Sequence, residues 1–202
     1  EGKKKIYALM SFVDNRVGVI DANGSNCVIG PQMPFGSINP SPQTPEGEHD
    51  GYAPNQPIRG FGQLHVSGTG WGKYGHFLLS PQVGLSIGET EHDSPASDEV
   101  AKPNYYRAKL DRYGIVTELT PTEHAAIYRF TFPQTPEANI AMDVTHSLTR
   151  DIAKYIGGTV KANNVSIDSD EGDKFSGMIE YEGGFSGGFY NLYFTAQLDK
   201  KP

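Results

Sequence analysis

Downstream of about His76 the chain alternates apolar and polar residues in short runs separated by turn-forming residues, the period of two that a half-buried strand imposes. Residues 105–110 and 115–120 flank Asp111-Arg112-Tyr113-Gly114, whose glycine stands where a short connection needs positive φ, and this predicts a β-hairpin. Ala126, Tyr128, Phe130 and Phe132 fall on one face against Ile127, Arg129 and Thr131. Ile140, Met142 and Val144 repeat the period, so two more strands are expected to continue the same meander. Residues 160–167 and 175–181 are expected to pair around the acidic turn 168–173. Residues 189–198 close the chain, with Tyr190, Leu192, Phe194 and Ala196 facing away from Tyr193 and Thr195. Helical spacing is read only over residues 147–155, where Leu148, Ile152 and Tyr155 share a side and Ser147 stands as N-cap; one or two turns are expected. The pattern predicts an all-β fold, an antiparallel β-sandwich with at most one short helix.

Upstream, residues 24–75 are rich in Gly, Pro, Asn, Ser and Gln, with apolar residues mostly isolated. Loops and short strands are expected there, and so is the function, because binding residues concentrate on loops held by a rigid scaffold. The whole chain carries 24 Gly and 14 Pro in 202 residues, above the ~12% combined share of an average protein, so the backbone turns often. A hydrophobic share of 37% still fills a core, and one domain over residues 1–202 is expected.

Charge removes some partners. A net charge of −7 argues against a nucleic-acid surface, since that affinity comes from Lys and Arg; Lys3, Lys4 and Lys5 read as a solvated tail. The single Cys27 excludes an internal disulfide and leaves the compartment open. No apolar run nears the ~20 residues of a membrane-spanning helix, and no signal-peptide pattern opens the sequence, so the chain reads as soluble or already processed.

Several constellations invite a chemical reading. Gly70-Trp71-Gly72-Lys73-Tyr74-Gly75 matches the dinucleotide fingerprint, but a strand-like Phe77-Leu78-Leu79-Ser80-Pro81 follows where a helix is required, so a tight glycine loop is the better reading. His49, His65, His76, His92, His124 and His146 lack the short spacings of a zinc site. His65 stands out because a strand-like segment leads from it into Ser67-Gly68-Thr69-Gly70; a ligand-facing histidine and a core histidine bonded to a carbonyl are both open. Asp168-Ser169-Asp170-Glu171-Gly172-Asp173 lacks a full calcium-loop pattern and reads as a solvated turn. Cys27 has no base beside it in sequence, and packing accounts for it. Glu46, Glu48 and Asp50 lie beside Tyr52, and Trp71 offers an apolar face to a sugar ring: a sugar-facing surface without a defined pair of catalytic carboxylates.

Gly24-Ser25-Asn26-Cys27-Val28-Ile29-Gly30-Pro31-Gln32-Met33-Pro34-Phe35-Gly36 through Asn39-Pro40-Ser41-Pro42 resembles the opening segment of glycoside hydrolase family 92, the α-mannosidases. Asp50-Gly51-Tyr52, Ile58-Arg59-Gly60-Phe61 and Leu64-His65-Val66-Ser67-Gly68-Thr69-Gly70 are similar to the family's succession of motifs, and Pro103-Asn104-Tyr105-Tyr106 with residues 113–120 and 128–133 resembles its hairpin region. The resemblance implies a galactose-mutarotase-like supersandwich that packs, in the parent enzyme, on a C-terminal (α/α) barrel holding the catalytic acid and base. It implies an inverting, calcium-dependent exo-α-mannosidase of bacterial type, secreted or periplasmic after removal of a signal peptide. Most calcium ligands would lie in that barrel and none is expected in this chain, which would itself be non-catalytic. Carried over position by position, the resemblance puts Asp50, Gly51, Tyr52, His65, Ser67, Gly68, Thr69, Gly70 and Trp71 at the edge of a cleft for mannose-containing glycans. Where members that cleave α-1,2 linkages often present a Trp before the Gly-Tyr pair, this sequence has Glu48-His49-Asp50, so linkage does not carry over. Two other readings stay open: a free-standing carbohydrate-binding module, and a structural sandwich that only docks a partner domain.

Overall fold

The computed structural model describes residues 9–19, 27–45, 51–66, 74–148, 161–170, 172–184 and 187–200. In chain order the strands are β1 (Ser41–Gln43), β2 (Gly60–Gly62), β3 (Leu78–Val83), β4 (Ala96–Lys102), β5 (Tyr105–Leu110) and β6 (Ile115–Pro121). They continue as β7 (Ala126–Thr131), β8 (Ala138–Asp143), β9 (Lys161–Asp170), β10 (Lys174–Glu182) and β11 (Phe189–Gln197). Three antiparallel sheets result, ordered β1-β2-β3-β8, β4-β5-β6-β7 and β9-β10-β11. No helix among the described residues is long and apolar enough to cross a membrane.

The predicted hairpin forms because its sequence satisfies the turn and the faces together. Leu110 pairs with Ile115 and Tyr106 with Leu119, so Tyr106, Ala108, Leu110, Ile115, Thr117 and Leu119 all point inward. Gly114 takes φ 68° and donates to the Leu110 carbonyl at 2.8 Å. The buried hydroxyl of Thr117 on this face is satisfied by the Ala108 carbonyl at 2.9 Å.

These inward residues meet Phe61 of β2 with Val19, Ile29, Tyr52 and Ile58 in the main core, which closes the two four-stranded sheets into a sandwich. Phe61 is fully buried, its ring edge-on to Tyr106 and Tyr128 at 6.3 and 6.4 Å between centroids. A second core joins Phe77 and Val144 to Ile179 and Tyr181, so that the three-stranded sheet packs on the first one.

Three sequence expectations change. β8 does not continue the meander: it pairs with β3, from Leu78 opposite Asp143 to Val83 opposite Ala138. Pro133 and Pro136 lie directly after β7, and prolines without an N–H for a further ladder turn the chain away to the other sheet. The expected helix over 147–155 begins with Ser147 and Leu148 in irregular structure, and its remainder lies outside the described residues. The expected acidic turn 168–173 is also shorter: Asp168, Ser169 and Asp170 extend β9 opposite Ser176, Phe175 and Lys174, and Gly172 takes φ 83° beyond them.

Gly177 gives a direct test of the third sheet. A methyl group there would lie 2.4 Å from the Ser166 carbonyl oxygen and 2.6 Å from the Phe194 ring. Gly177→Ala is predicted to lower unfolding free energy by about 1–3 kcal/mol. Gly114→Asn, at a left-handed position with open space around it, is predicted to cost less than about 1 kcal/mol. Urea unfolding of both variants checks this, and equal losses would contradict it.

Candidate functional site

Of the nine candidate positions, Gly51, Tyr52 and His65 fall among the described residues; Asp50, Ser67, Gly68, Thr69, Gly70 and Trp71 lie outside them. Gly51 and His65 come together, while the Tyr52 hydroxyl points elsewhere.

His65 is buried, and both ring nitrogens are engaged. Its Nδ1 lies 2.9 Å from the Asn39 carbonyl, which accepts only, so the proton is on Nδ1. Its Nε2 therefore accepts, at 2.9 Å, from the side-chain amide of Gln43. That amide donates its other hydrogen to the Gly75 carbonyl at 2.8 Å, and its oxygen accepts from His146 Nε2 at 2.6 Å. The carbonyl of His146 takes the Nδ1 proton of His76 at 3.0 Å, and His76 Nε2 accepts from the Tyr190 hydroxyl at 3.0 Å. The His76 ring also lies against Tyr181, 4.1 Å between centroids, and the Tyr181 hydroxyl donates to the Val144 carbonyl at 2.6 Å. These bonds leave His65 and His76 each with one donating and one accepting nitrogen, and His146 donating from Nε2. Burial keeps the three imidazoles neutral: desolvation lowers His65, His76 and His146 from 6.5 to about 4.

Glycines make room for this arrangement. A methyl on Gly51 would lie 3.2 Å from Gln43 Cγ, His65 Nε2 and Leu148 Cδ1, and one on Gly62 would lie 2.2 Å from Gln43 Nε2. Gly51 also needs its φ of 92°, as Gly75 needs 66°. Backbone bonds close the surrounding stems: Thr44 N to Gly51 O at 2.8 Å, Gly75 N to Leu64 O at 2.8 Å and Leu148 N to Tyr74 O at 2.7 Å. The described residues on either side of 46–50 and of 67–73, together with Leu148 just before 149–160, are thus gathered around one amide. Tyr74, left-handed at φ 68° without being glycine, is held there by ring contacts to His76 and Tyr190.

Tyr52 is also buried. Its hydroxyl donates to Glu99 at 2.9 Å, and Tyr106 donates to the same carboxylate. Burial, then the Glu99 charge, raise both phenols above their ordinary value. Glu99 reaches them because a bulge between Ser97 and Val100, with Asp98 at φ 52°, turns it inward. Gln43, His76, His146 and Glu99 were not candidates from the sequence. Gln43 and His146 are 103 positions apart, and no local pattern announces such a pair.

Two outcomes follow from the geometry. Each imidazole has a folded pKa below its unfolded value, so between pH 6.5 and about 4 the unfolded chain takes up protons that the folded chain refuses. Stability is complete above pH 6.5 and is predicted to fall across that window, by about 3 kcal/mol for a single imidazole and less than additively for three. Urea midpoints at pH 7, 5.5 and 4 check the sign; a midpoint unchanged from pH 7 to 4 would contradict it. Gln43→Leu leaves His65, His146 and the Gly75 carbonyl without that amide, and is predicted to cost at least about 3 kcal/mol, at roughly 1–3 for each buried group. Thermal unfolding at pH 7 reads it.

Known proteins share this architecture. The model of the glycosyl hydrolase family 92 N-terminal domain matches residues 12–202. The α-mannosidase BT3965 of Bacteroides thetaiotaomicron, solved in complex with mannoimidazole, superposes with a TM-score of 0.81 at 30% identity, over 96% of this chain and 25% of that one. Its structure described without that ligand gives 0.81 at 29% identity, over 96% and 26%. An uncharacterized secreted glycosidase of the fungus Arthroderma benhamiae is 33% identical over 138 residues, 62% of this chain and 17% of the relative. The chain therefore spans about a quarter or less of the length of these relatives. With the family pattern running through almost the whole sandwich, the chain belongs to the glycosyl hydrolase family 92 N-terminal domain.

Proposed function

We propose that the chain is the non-catalytic N-terminal sandwich of an exo-acting α-mannosidase, packed on a catalytic (α/α) barrel of the same polypeptide and lending loops to the glycan cleft. The observation that carries this reading is the superposition of 96% of the chain on only 25% of an α-mannosidase bound to mannoimidazole. Asp50, Ser67, Gly68, Thr69, Gly70 and Trp71 are the glycan-facing positions in this reading, while Gly51 is buried beside His65. His65 and Tyr52 serve it from behind, one fixing the loop stems and the other tying the adjoining segment to Glu99. Secretion is supported by the name of the fungal relative.

Calcium would serve the parent enzyme by binding and polarising sugar hydroxyls. The described residues offer no group of three His, Cys, Asp or Glu side chains able to hold a metal ion, so no step is assigned to calcium within them. The proposal leaves its ligands to the barrel.

The test compares the 202-residue chain with the complete polypeptide on α-linked mannobiose. Mannose release is expected only from the complete polypeptide, to be lost with a calcium chelator and restored by calcium. Trp71→Ala in the complete polypeptide is expected to lower kcat/KM at least about tenfold, equivalent to about 1.4 kcal/mol, with unchanged melting. Hydrolysis by the chain alone, or a complete polypeptide inert on mannosides, would overturn the proposal.

A further inference from the structure

Six strands stand at the edges of the three sheets: β1 and β8, β4 and β7, β9 and β11. An edge strand presents a row of unpaired backbone N–H and C=O groups, which folded proteins blunt with charge, proline, a bulge or short length. Five of the six are blunted in this way. β1 has three residues, one of them Pro42. β4 and β9 are bulged, after Ser97 and at Asn163, and carry Asp98 and Asp168. β7 holds Arg129 and runs on to Pro133, and β8 ends on Asp143. β11 has none of these devices. Its nine residues contain no charged side chain, proline or glycine, and its register with β10 runs unbroken from Phe189 to Gln197.

The two ends of that register fix which way each peptide group points. Gly183 donates to the Gly188 carbonyl at 3.1 Å, and Leu198 donates to the Asp173 carbonyl at 2.8 Å. Bonded pairs alternate along an antiparallel ladder, so Tyr190, Leu192, Phe194 and Ala196 turn their N–H and C=O toward β10. Those of Phe189, Asn191, Tyr193, Thr195 and Gln197 turn the other way, where no described strand lies. Phe189 and Tyr193 are 69% and 74% exposed on one face, while Tyr190, Leu192 and Phe194 meet the second core from the other and are only half-buried. Donors and acceptors at strand spacing between two apolar faces match one kind of occupant: another extended strand with apolar residues on its inner face. The same polypeptide is the source that the topology favours. β9, β10 and β11 form a meander in which each strand lies beside its predecessor, so the position beside β11 falls to the next strand in sequence. Length allows it, since 96% of this chain superposes on only 25% of the α-mannosidase.

We infer that a strand downstream of β11 in the parent polypeptide adds to this edge through backbone hydrogen bonds and extends the third sheet. The inference rests on the reading of the chain as the N-terminal part of a longer enzyme. Amide hydrogen exchange, read residue by residue in the 202-residue chain and in the complete polypeptide, tests it. In the chain, Tyr190, Leu192, Phe194 and Ala196 are expected to exchange slowly, and Phe189, Asn191, Tyr193, Thr195 and Gln197 fast. In the complete polypeptide the second set is expected to slow at least about a hundredfold. Thr195→Pro, which removes an outward N–H and none bonded to β10, is expected to reverse that slowing at least about tenfold at Tyr193 and Gln197 while the first set stays slow. Equally fast exchange of the second set in both proteins would overturn the inference. Slowing that the proline leaves intact would overturn it in favour of a cover made by side chains, and slowing already present in the isolated chain at a dimer's mass in favour of a second copy. Mannose release by the same complete polypeptide keeps the two readings apart. Release with fast exchange along β11 overturns this inference alone, and slow exchange in a polypeptide inert on mannosides overturns the mannosidase reading alone.

Discussion

The side-chain amide of Gln43 fixes three separated segments at once. It spends two donors and one acceptor on His65, Gly75 and His146, and each of those groups belongs to a different stretch of chain. An amide can do this in a dry interior only when every partner is in the correct protonation state, because low polarity strengthens a completed bond and penalises a missing one alike. Bare glycines at 51, 62 and 75 admit it, and the three histidines stay neutral around it. The positions of the surrounding loop stems follow from that one group.

This divides labour between front and back. In the proposed cleft, groups that meet a glycan would need freedom to exchange hydrogen bonds with water, whereas groups that locate them would need to have none. His65 and Tyr52 belong to the second kind, with both imidazole nitrogens and the phenolic hydroxyl already engaged inside the protein. The bulge at Asp98 works similarly for the main core: two unpaired residues on β4 bring one carboxylate to two buried phenols.

What the sequence disclosed was what is local. The hairpin of β5 and β6 was legible because turn, alternation and register lie within seventeen consecutive residues. Alternation marked β8 as a strand but carried no information on its partner; β3 lies more than fifty positions upstream, and Ile140 shares a face with Met142 yet remains 41% exposed. The strand expected after the glycine run is β3. His65 was found for its place beside Ser67, but its bonds to Asn39 and Gln43, 26 and 22 positions away, belong to tertiary structure.

The pairing of β3 with β8 sets an order of assembly. Leu78 waits for Asp143, and everything in between must be synthesised before the two can meet. The intervening β4–β7 meander is built entirely from neighbouring strands, whose short loop closures are entropically cheap. It can therefore condense as a unit and draw the ends of β3 and β8 toward each other, shortening the search for a contact that would otherwise be slow. The excursion that looks like an insertion within the first sheet is thus the scaffold on which that sheet closes.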